Sequence, residues 1–489
     1  MKRVVLTFAA AALALPAWAK DTVNLAMTLE PAGLDPTTRA EAAIGQIVLY
    51  NIFETLTRIN EDATVSPALA KSWTLSDDGK VYTFKLHEGV TFHDGTALDS
   101  GDVKFTFERN AAEGSANKRK AYFTNMEKIE TPDATTVVIT LKDPRPTFLF
   151  NMGEANSVIL APESVENDAT NPIGTGPFKF VKWTKGDSLV MEKNPDHRDA
   201  AKVKLSKVTF KFINDAAAQV AALVAGDIDY IPFFRAPEAL GPFKDNPNLV
   251  ITSGTTEGET IMGINNQKPP LDNLKVRQAL AHAINRQEII DGAMFGIGTP
   301  IGSHFAPHNP DYVDLTGTYP YDPEKAKALL AEAGVKPGTE LSLKLPPVPY
   351  ARNGGQILAQ QLEKIGLKIK IENVEWPQWL EVVYKQKNYD LSIVSHVEPM
   401  DIGIYTNPDY YFQYDSAEFR DIMSKADSSL DPAQRSKYLK MAQKKLAEDA
   451  VNGYLFQLGK TTVAAKGLKG YWQNSPYFLN DMAAIYWDN

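Results

Sequence analysis

Three groups of residues have types and spacings from which chemistry can be built. Arg352 stands beside Gly354-Gly355 at the entry to an apolar-periodic run. A guanidinium there, next to glycines that let backbone N–H groups approach closely, makes a fork for a carboxylate or phosphate; a plain surface residue at a helix start is the alternative. The run Ser395-His396-Val397-Glu398-Pro399-Met400-Asp401 offers an imidazole and two carboxylates, which suit a cation, an amine or hydroxyls. Glu398 and Asp401 would also suit a glycosidase, and His396 can equally be a satisfied loop histidine. His304 and His308 have i,i+4 spacing, but Pro307 breaks the helix that would put both imidazoles on one face. No metal ligand set and no cofactor is therefore expected.

Catalytic motifs fail on spacing. The chain has no Gly-x-Ser-x-Gly elbow and no His-Glu-x-x-His. The Gly453 to Gly459-Lys460-Thr461 run puts five residues between its glycines where a phosphate loop needs four, and Gly296 to Gly302 misses the dinucleotide spacing. Catalysis is not expected, and a secreted hydrolase is the rival class.

Composition sets the frame for these groups. The chain has 489 residues, no cysteine and a formal net charge of -9. That length implies two or three domains. Without cysteine there is no disulfide scaffold, no thiolate chemistry and no lipid-modified N-terminal cysteine. The longest basic block is Lys118-Arg119-Lys120, so the acidic chain has no face for nucleic acid. Residues 1–19 read as a cleavable secretory leader: Lys2-Arg3, then an apolar stretch from Val4 to Leu15 interrupted by Thr7, then Ala17-Trp18-Ala19 as the cleavage site.

Strand and helix signals alternate through the rest, giving a mixed α/β class. Tyr82–Leu86, Thr136–Leu141 and Val208–Phe212 are β-branched or aromatic runs with partial period-2 alternation. Asp215 is placed to cap a helix that Gly226 ends, with Val220, Leu223 and Val224 on one face. Asp322-Pro323-Glu324 opens another helix, and Val276 to Ile284 repeats the helical spacing. Trp73, Phe84 and Phe92 read as core; Tyr410-Tyr411-Phe412 and Trp376 to Trp379 read as core or interlobe packing rather than ligand stacking, with Tyr411 retained as a ligand candidate.

Residues 70–95, from Ala70-Lys71-Ser72-Trp73 through Phe92-His93-Asp94-Gly95, together with Asp102-Val103-Lys104-Phe105, Gly174-Thr175-Gly176-Pro177-Phe178, Gly226-Asp227-Ile228-Asp229, Val276-Arg277-Gln278-Ala279-Leu280 and Tyr321-Asp322-Pro323-Glu324, resemble the signature blocks of family 5 extracellular solute-binding proteins. That family includes the dipeptide-, oligopeptide- and nickel-binding components of ABC importers. The resemblance implies a two-lobed clamp of type II in its large three-domain form, with the ligand cleft between the lobes. Lobe 1 would take 20–55, 173–258 and 457–489; an inserted domain 56–172; lobe 2 259–456. It also implies a monomeric periplasmic receptor that passes a small-molecule solute to inner-membrane permease subunits.

The ligand loop of the dipeptide binders carries Gly-Trp, then an Asp for the peptide ammonium, then an acidic-Pro pair. Here Ser395-His396 takes the place of Gly-Trp, and no Asp precedes Glu398-Pro399. The Arg that meets the peptide carboxylate is displaced, within Pro346-Pro347-Val348-Pro349-Tyr350-Ala351, to Arg352. These departures favour a non-peptide organic acid, an opine-like conjugate or a chelate over a dipeptide. The expected ligand residues are Arg352, His396, Glu398, Asp401, Tyr350, Ser395, Glu30 and Tyr411, with Glu30 following the first strand where the cleft opens.

Overall fold

Helix caps form where the sequence marks them. In the computed structural model, which describes residues 20–39, 41–429 and 431–488, the helix Ala216–Ala225 is capped by Asp215, whose carboxylate accepts from Ala218 N at 2.8 Å. Gly226 ends it at φ 80°, in the left-handed region that glycine enters without strain. Leu223 is buried, whereas Val224 is 59% exposed. Adjacent helical residues diverge by about 100°, so turning Leu223 inward carries Val224 out to solvent. Asp322 caps Pro323–Glu332 through Lys325 N at 2.9 Å, and Leu274–Ala283 forms the third expected helix. The leader expected over residues 1–19 lies outside the described residues.

The expected strands also form, within Val81–Leu86, Thr136–Leu141 and Lys207–Phe212. The first two are the centre of a four-stranded sheet in the order Ala70–Leu75, Val81–Leu86, Thr136–Leu141, Met126–Asp133. Phe84 and Phe92 are buried in the core on this sheet, with Trp73 packed at its margin.

A second, eleven-stranded sheet runs Lys368–Asn373, Glu340–Leu345, Leu391–His396, Leu249–Ile264, Gly453–Ala465, Tyr230–Ile231, Thr22–Met27, Lys207–Phe212, Ser188–Lys193, Phe178–Thr184, with Gly298–Pro300 paired to Gly453–Ala465. Strand periodicity sends neighbouring side chains to opposite faces, so Ile393 enters one core and Val394 another.

Two long antiparallel strands, Leu249–Ile264 and Gly453–Ala465, run along the middle of this sheet. Leu249–Thr255 pairs with Gly459–Ala465; the register then shifts, and Glu259–Met262 pairs with Gly453–Gln457. The intervening bulge leaves residues 256–258 out of the ladder, and a second register shift follows between Thr260 and Ile261.

Candidate ligand-binding cleft

A cavity of about 200 Å³ lies beside that bulge. One wall comes from residues 36–45 and the Ser475–Phe478 turn, a second from Lys118, Arg119 and Asn156, and the facing wall from Glu257 and Val397–Pro399. The Lys118-Arg119 loop is tied down by amides: Asn117 Oδ1 accepts from Arg119 N at 2.8 Å, Asn117 Nδ2 donates to Asn156 O at 2.9 Å, and Asn156 Nδ2 donates to Pro36 O at 2.7 Å. Arg119 lies 3.4 Å from the buried Glu154 carboxylate. Burial, with the Arg119 charge beside it, holds the Lys118 ammonium below its usual pKa, while Glu154, Glu398 and Glu41 pull the other way.

On the opposite wall Glu257 is buried in the bulge, its Oε1 2.7 Å from His308 Nε2; His308 Nδ1 lies 2.6 Å from Thr255 Oγ1. Glu398 is exposed at the cavity, where its Oε2 accepts from Val397 N at 3.3 Å.

His396 ends the Leu391–His396 strand, buried and stacked on Tyr411 with the rings 2° from parallel, its Nε2 2.9 Å from Tyr411 Oη. Asp401 puts Oδ2 3.4 Å from His396 Nδ1 and Oδ1 2.6 Å from His304 Nε2. Burial raises the Asp401 carboxyl, but the charges and hydrogen bonds of His304 and His396 outweigh it and hold Asp401 well below the carboxylate range. Glu259, also buried, is pushed well above that range by burial and by Asp401, Glu257 and Glu398.

The eight expected residues therefore divide. Glu398 lines the cavity, and the buried His396 and Tyr411 form a network behind it with the partly buried Asp401. Tyr350 and Ser395 meet beside them, the phenol oxygen accepting from Ser395 N at 3.2 Å. Arg352 is two residues, or about 200°, further round the same helix and faces away, 2.9 Å from Glu375 and outside the cavity lining. Glu30 accepts from Trp183 Nε1 at 2.8 Å and Gly186 N at 3.0 Å, bracing a strand turn rather than facing the cavity.

Lys118, Arg119 and Glu257 line the cavity but were not among the residues expected from sequence. The first two were visible as the longest basic block; Glu257 had no local signal. His304 and His308, set aside because Pro307 breaks their helix, are indeed not in a helix, yet the fold takes each to its own carboxylate, Asp401 and Glu257.

Comparison with known proteins matches residues 64–449 to the family described as bacterial extracellular solute-binding proteins, family 5. The di/tripeptide-binding protein 1 of Pseudomonas aeruginosa is 33% identical over 385 residues, 72% of this chain and 71% of that one. The glutathione-binding protein GsiB of Pectobacterium atrosepticum is 32% identical over 370 residues, 74% of this chain and 71% of that one. Among solved structures, HbpA2 from Haemophilus parasuis superposes with a TM-score of 0.88 at 25% identity, covering 95% of this chain and 99% of that one. The architecture of a large two-lobed clamp, the signature blocks and the extent of these matches agree: the chain belongs to family 5 of the bacterial extracellular solute-binding proteins, a family of receptors rather than enzymes.

Proposed function

We propose that this chain, as the substrate-binding component of an ABC importer, captures a small zwitterionic amino-acid conjugate or short peptide in the periplasm and hands it to permease subunits in the inner membrane. The observation that carries this reading is the opposition of charge across the cavity, with Lys118 and Arg119 on one wall and Glu257 and Glu398 on the other. A solute bearing ammonium and carboxylate groups finds a partner for each when closure strips its water.

The same proposal keeps the three-part division: lobe 1 as 20–55, 173–258 and 457–489, the insert as 56–172 and lobe 2 as 259–456. Separate hydrophobic clusters support it, one within 56–161 and two within 261–456. Bending at the Thr255–Glu259 bulge brings Glu257 and Glu398 toward the Lys118 loop, and ligand contacts made only in the closed state drive it. The receptor works as a monomer, exported by the leader and, without cysteine, carrying no lipid anchor.

The names of the relatives, a di/tripeptide binder and a glutathione binder, favour a peptide. The departures at Ser395–Asp401 and Pro346–Gly355 favour an opine-like conjugate, organic acid or chelate. Calorimetry on ligand-stripped mature protein against glutathione, a neutral dipeptide, a tripeptide and an opine-type conjugate discriminates them. One-to-one binding of an acidic zwitterion is expected. Binding confined to uncharged sugars would overturn the ligand class, and turnover of peptide or glycoside without stoichiometric trapping would overturn the receptor reading.

A further inference from the structure

Behind the ligand cavity, three side chains from distant parts of the chain meet. Glu259 comes from the central strand just past the bulge, His304 from the irregular segment before Pro307, and Asp401 from the end of the ligand loop. One donor atom from each lies within 4.8 Å of the other two. His304 Nε2 is 2.6 Å from Asp401 Oδ1 and 4.0 Å from Glu259 Oε2. Glu259 and His304 are 2% and 1% exposed, so none of this is a solvated surface cluster.

Two further observations point to something these groups are built to hold. Glu259 Oε2 is buried, aimed at His304 and without a hydrogen-bond partner, a costly arrangement for a carboxylate oxygen. Acid is also in excess. Glu257 and Glu259 are buried and Asp401 is partly buried, its side chain 14% exposed, and among the described residues their ion-pair partners are histidines alone: His308 for Glu257, His304 for Glu259, and His304 with His396 for Asp401. Neither lysine nor arginine pairs with any of the three.

We propose that Glu259, His304 and Asp401 bind a divalent transition-metal ion, with Zn²⁺ the ion best matched to the donors. One imidazole nitrogen and two carboxylate oxygens, with a position left for water or a ligand group, is a zinc-type set. Calcium and magnesium want an all-oxygen shell of six or more, which a site with a histidine at its centre does not supply. The ion gives Glu259 Oε2 the partner it lacks and offsets the buried negative charge. It also pins the hinge strand, the 301–308 segment and the ligand loop to one point, so that Glu398 is presented from a fixed base. His396 shares Asp401 with this site and, with Glu398, forms a second, outer grouping at the cavity; the proposal places the ion on the inner one.

The test uses the full mature chain, stripped with EDTA and titrated with ZnCl₂ in a calorimeter. One equivalent is expected to bind, and X-ray absorption of that sample should give a nitrogen/oxygen shell near ~2.0–2.1 Å including one imidazole. Glu259→Gln, which keeps the shape of the side chain, and His304→Ala should each weaken binding at least tenfold, while His87→Ala, remote from the cluster, leaves it unchanged. The absorption spectrum of the unmutated protein keeps the proposal testable should either variant fail to fold. Absence of stoichiometric uptake overturns the proposal, as does a shell without imidazole. Loss of binding in His396→Ala or Glu398→Gln with Glu259→Gln unaffected overturns the placement.

Discussion

Glu257 Oε1 lies 2.7 Å from His308 Nε2, a contact that fixes the one buried carboxylate of the central bulge that reaches the ligand cavity. If Glu257 meets the ligand's ammonium group, Glu257→Ala weakens capture by tenfold or more, roughly 1.4 kcal/mol. His308 touches the carboxylate but does not line the cavity, so His308→Gln should cost a few-fold at most. Calorimetry with the captured solute gives both values, and equal affinities for Glu257→Ala and the unmutated protein remove Glu257 from the site.

Arg352 and Arg119 make a paired prediction. The sequence places the displaced arginine of the Pro-rich turn, Arg352, as a grip for a carboxylate. Its place beside Glu375, outside the cavity lining, leads instead to a change below about threefold for Arg352→Ala, the range of an exposed ion pair. Arg119→Ala should weaken binding more, and more steeply at low salt.

His93 makes stability pH-dependent. Its Nδ1 accepts from Gly174 N at 3.3 Å while Nε2–H donates to Gly176 O at 3.0 Å, so the imidazole clamps the Gly174–Pro177 turn in its neutral form. Burial is the main cause of a folded-state pKa of about 4, below the ordinary 6.5. The unfolded chain thus takes up the proton first, and stability contributed by neutral His93 is full above about pH 6.5 and lost as pH falls toward 4, on the order of 3 kcal/mol. Urea unfolding between pH 4 and 7 should show this slope, and it should flatten in His93→Gln.

The same turn forbids side chains. A Cβ on Gly176 would sit 2.3 Å from Asn51 O, and one on Gly174 2.0 Å from Ile52 O. Backbone hydrogen bonds from Gly176 N to Ile52 O and from Phe178 N to Asn51 O hold the two segments together at that distance. Gly176→Ala should destabilise by about 1–3 kcal/mol, readable as a lower urea midpoint with unchanged slope.

Export leaves a measurable end. Intact mass of the protein from a periplasmic extract should correspond to a chain beginning at Lys20; a mass that retains residues 1–19 would remove the leader assignment.

The scaffold was legible because its signals are local. Asp215, Asp322 and Gly226 cap or end helices through atoms a few residues away, and β-branched runs become strands through their own periodicity. Gly95 enters the left-handed region at φ 91° in a local turn, whereas the Gly174–Pro177 turn owes its shape to Asn51 and Ile52, more than a hundred residues earlier. The ligand cavity is different in kind. Glu398 was singled out because the family's ligand loop falls there, and it lines the cavity, whereas Lys118, Glu257 and Tyr477 meet only after three segments pack together. Arg352 and Tyr350 show the limit most sharply: two residues apart in one helix, one turns inward and the other outward, a choice set by what the helix packs on.

The N-terminal segment is also tied down by the end of the chain. Asn51 bonds Asn480 O and Met482 N, Trp487 Nε1 bonds Thr22 O, and the strand Gly453–Ala465 lies between Leu249–Ile264 and the strands Tyr230–Ile231 and Thr22–Met27. The N-terminal strand pairs with Lys207–Phe212, and Asn51 and Ile52 bond the Gly174–Phe178 turn, but the partners supplied by residues 480–487 lie more than four hundred residues downstream and are made last. A chain cut short before Asn480 would leave Asn51 and the Thr22 carbonyl without these partners, so the C-terminal segment is the clasp of the sheet that the N-terminal strand begins.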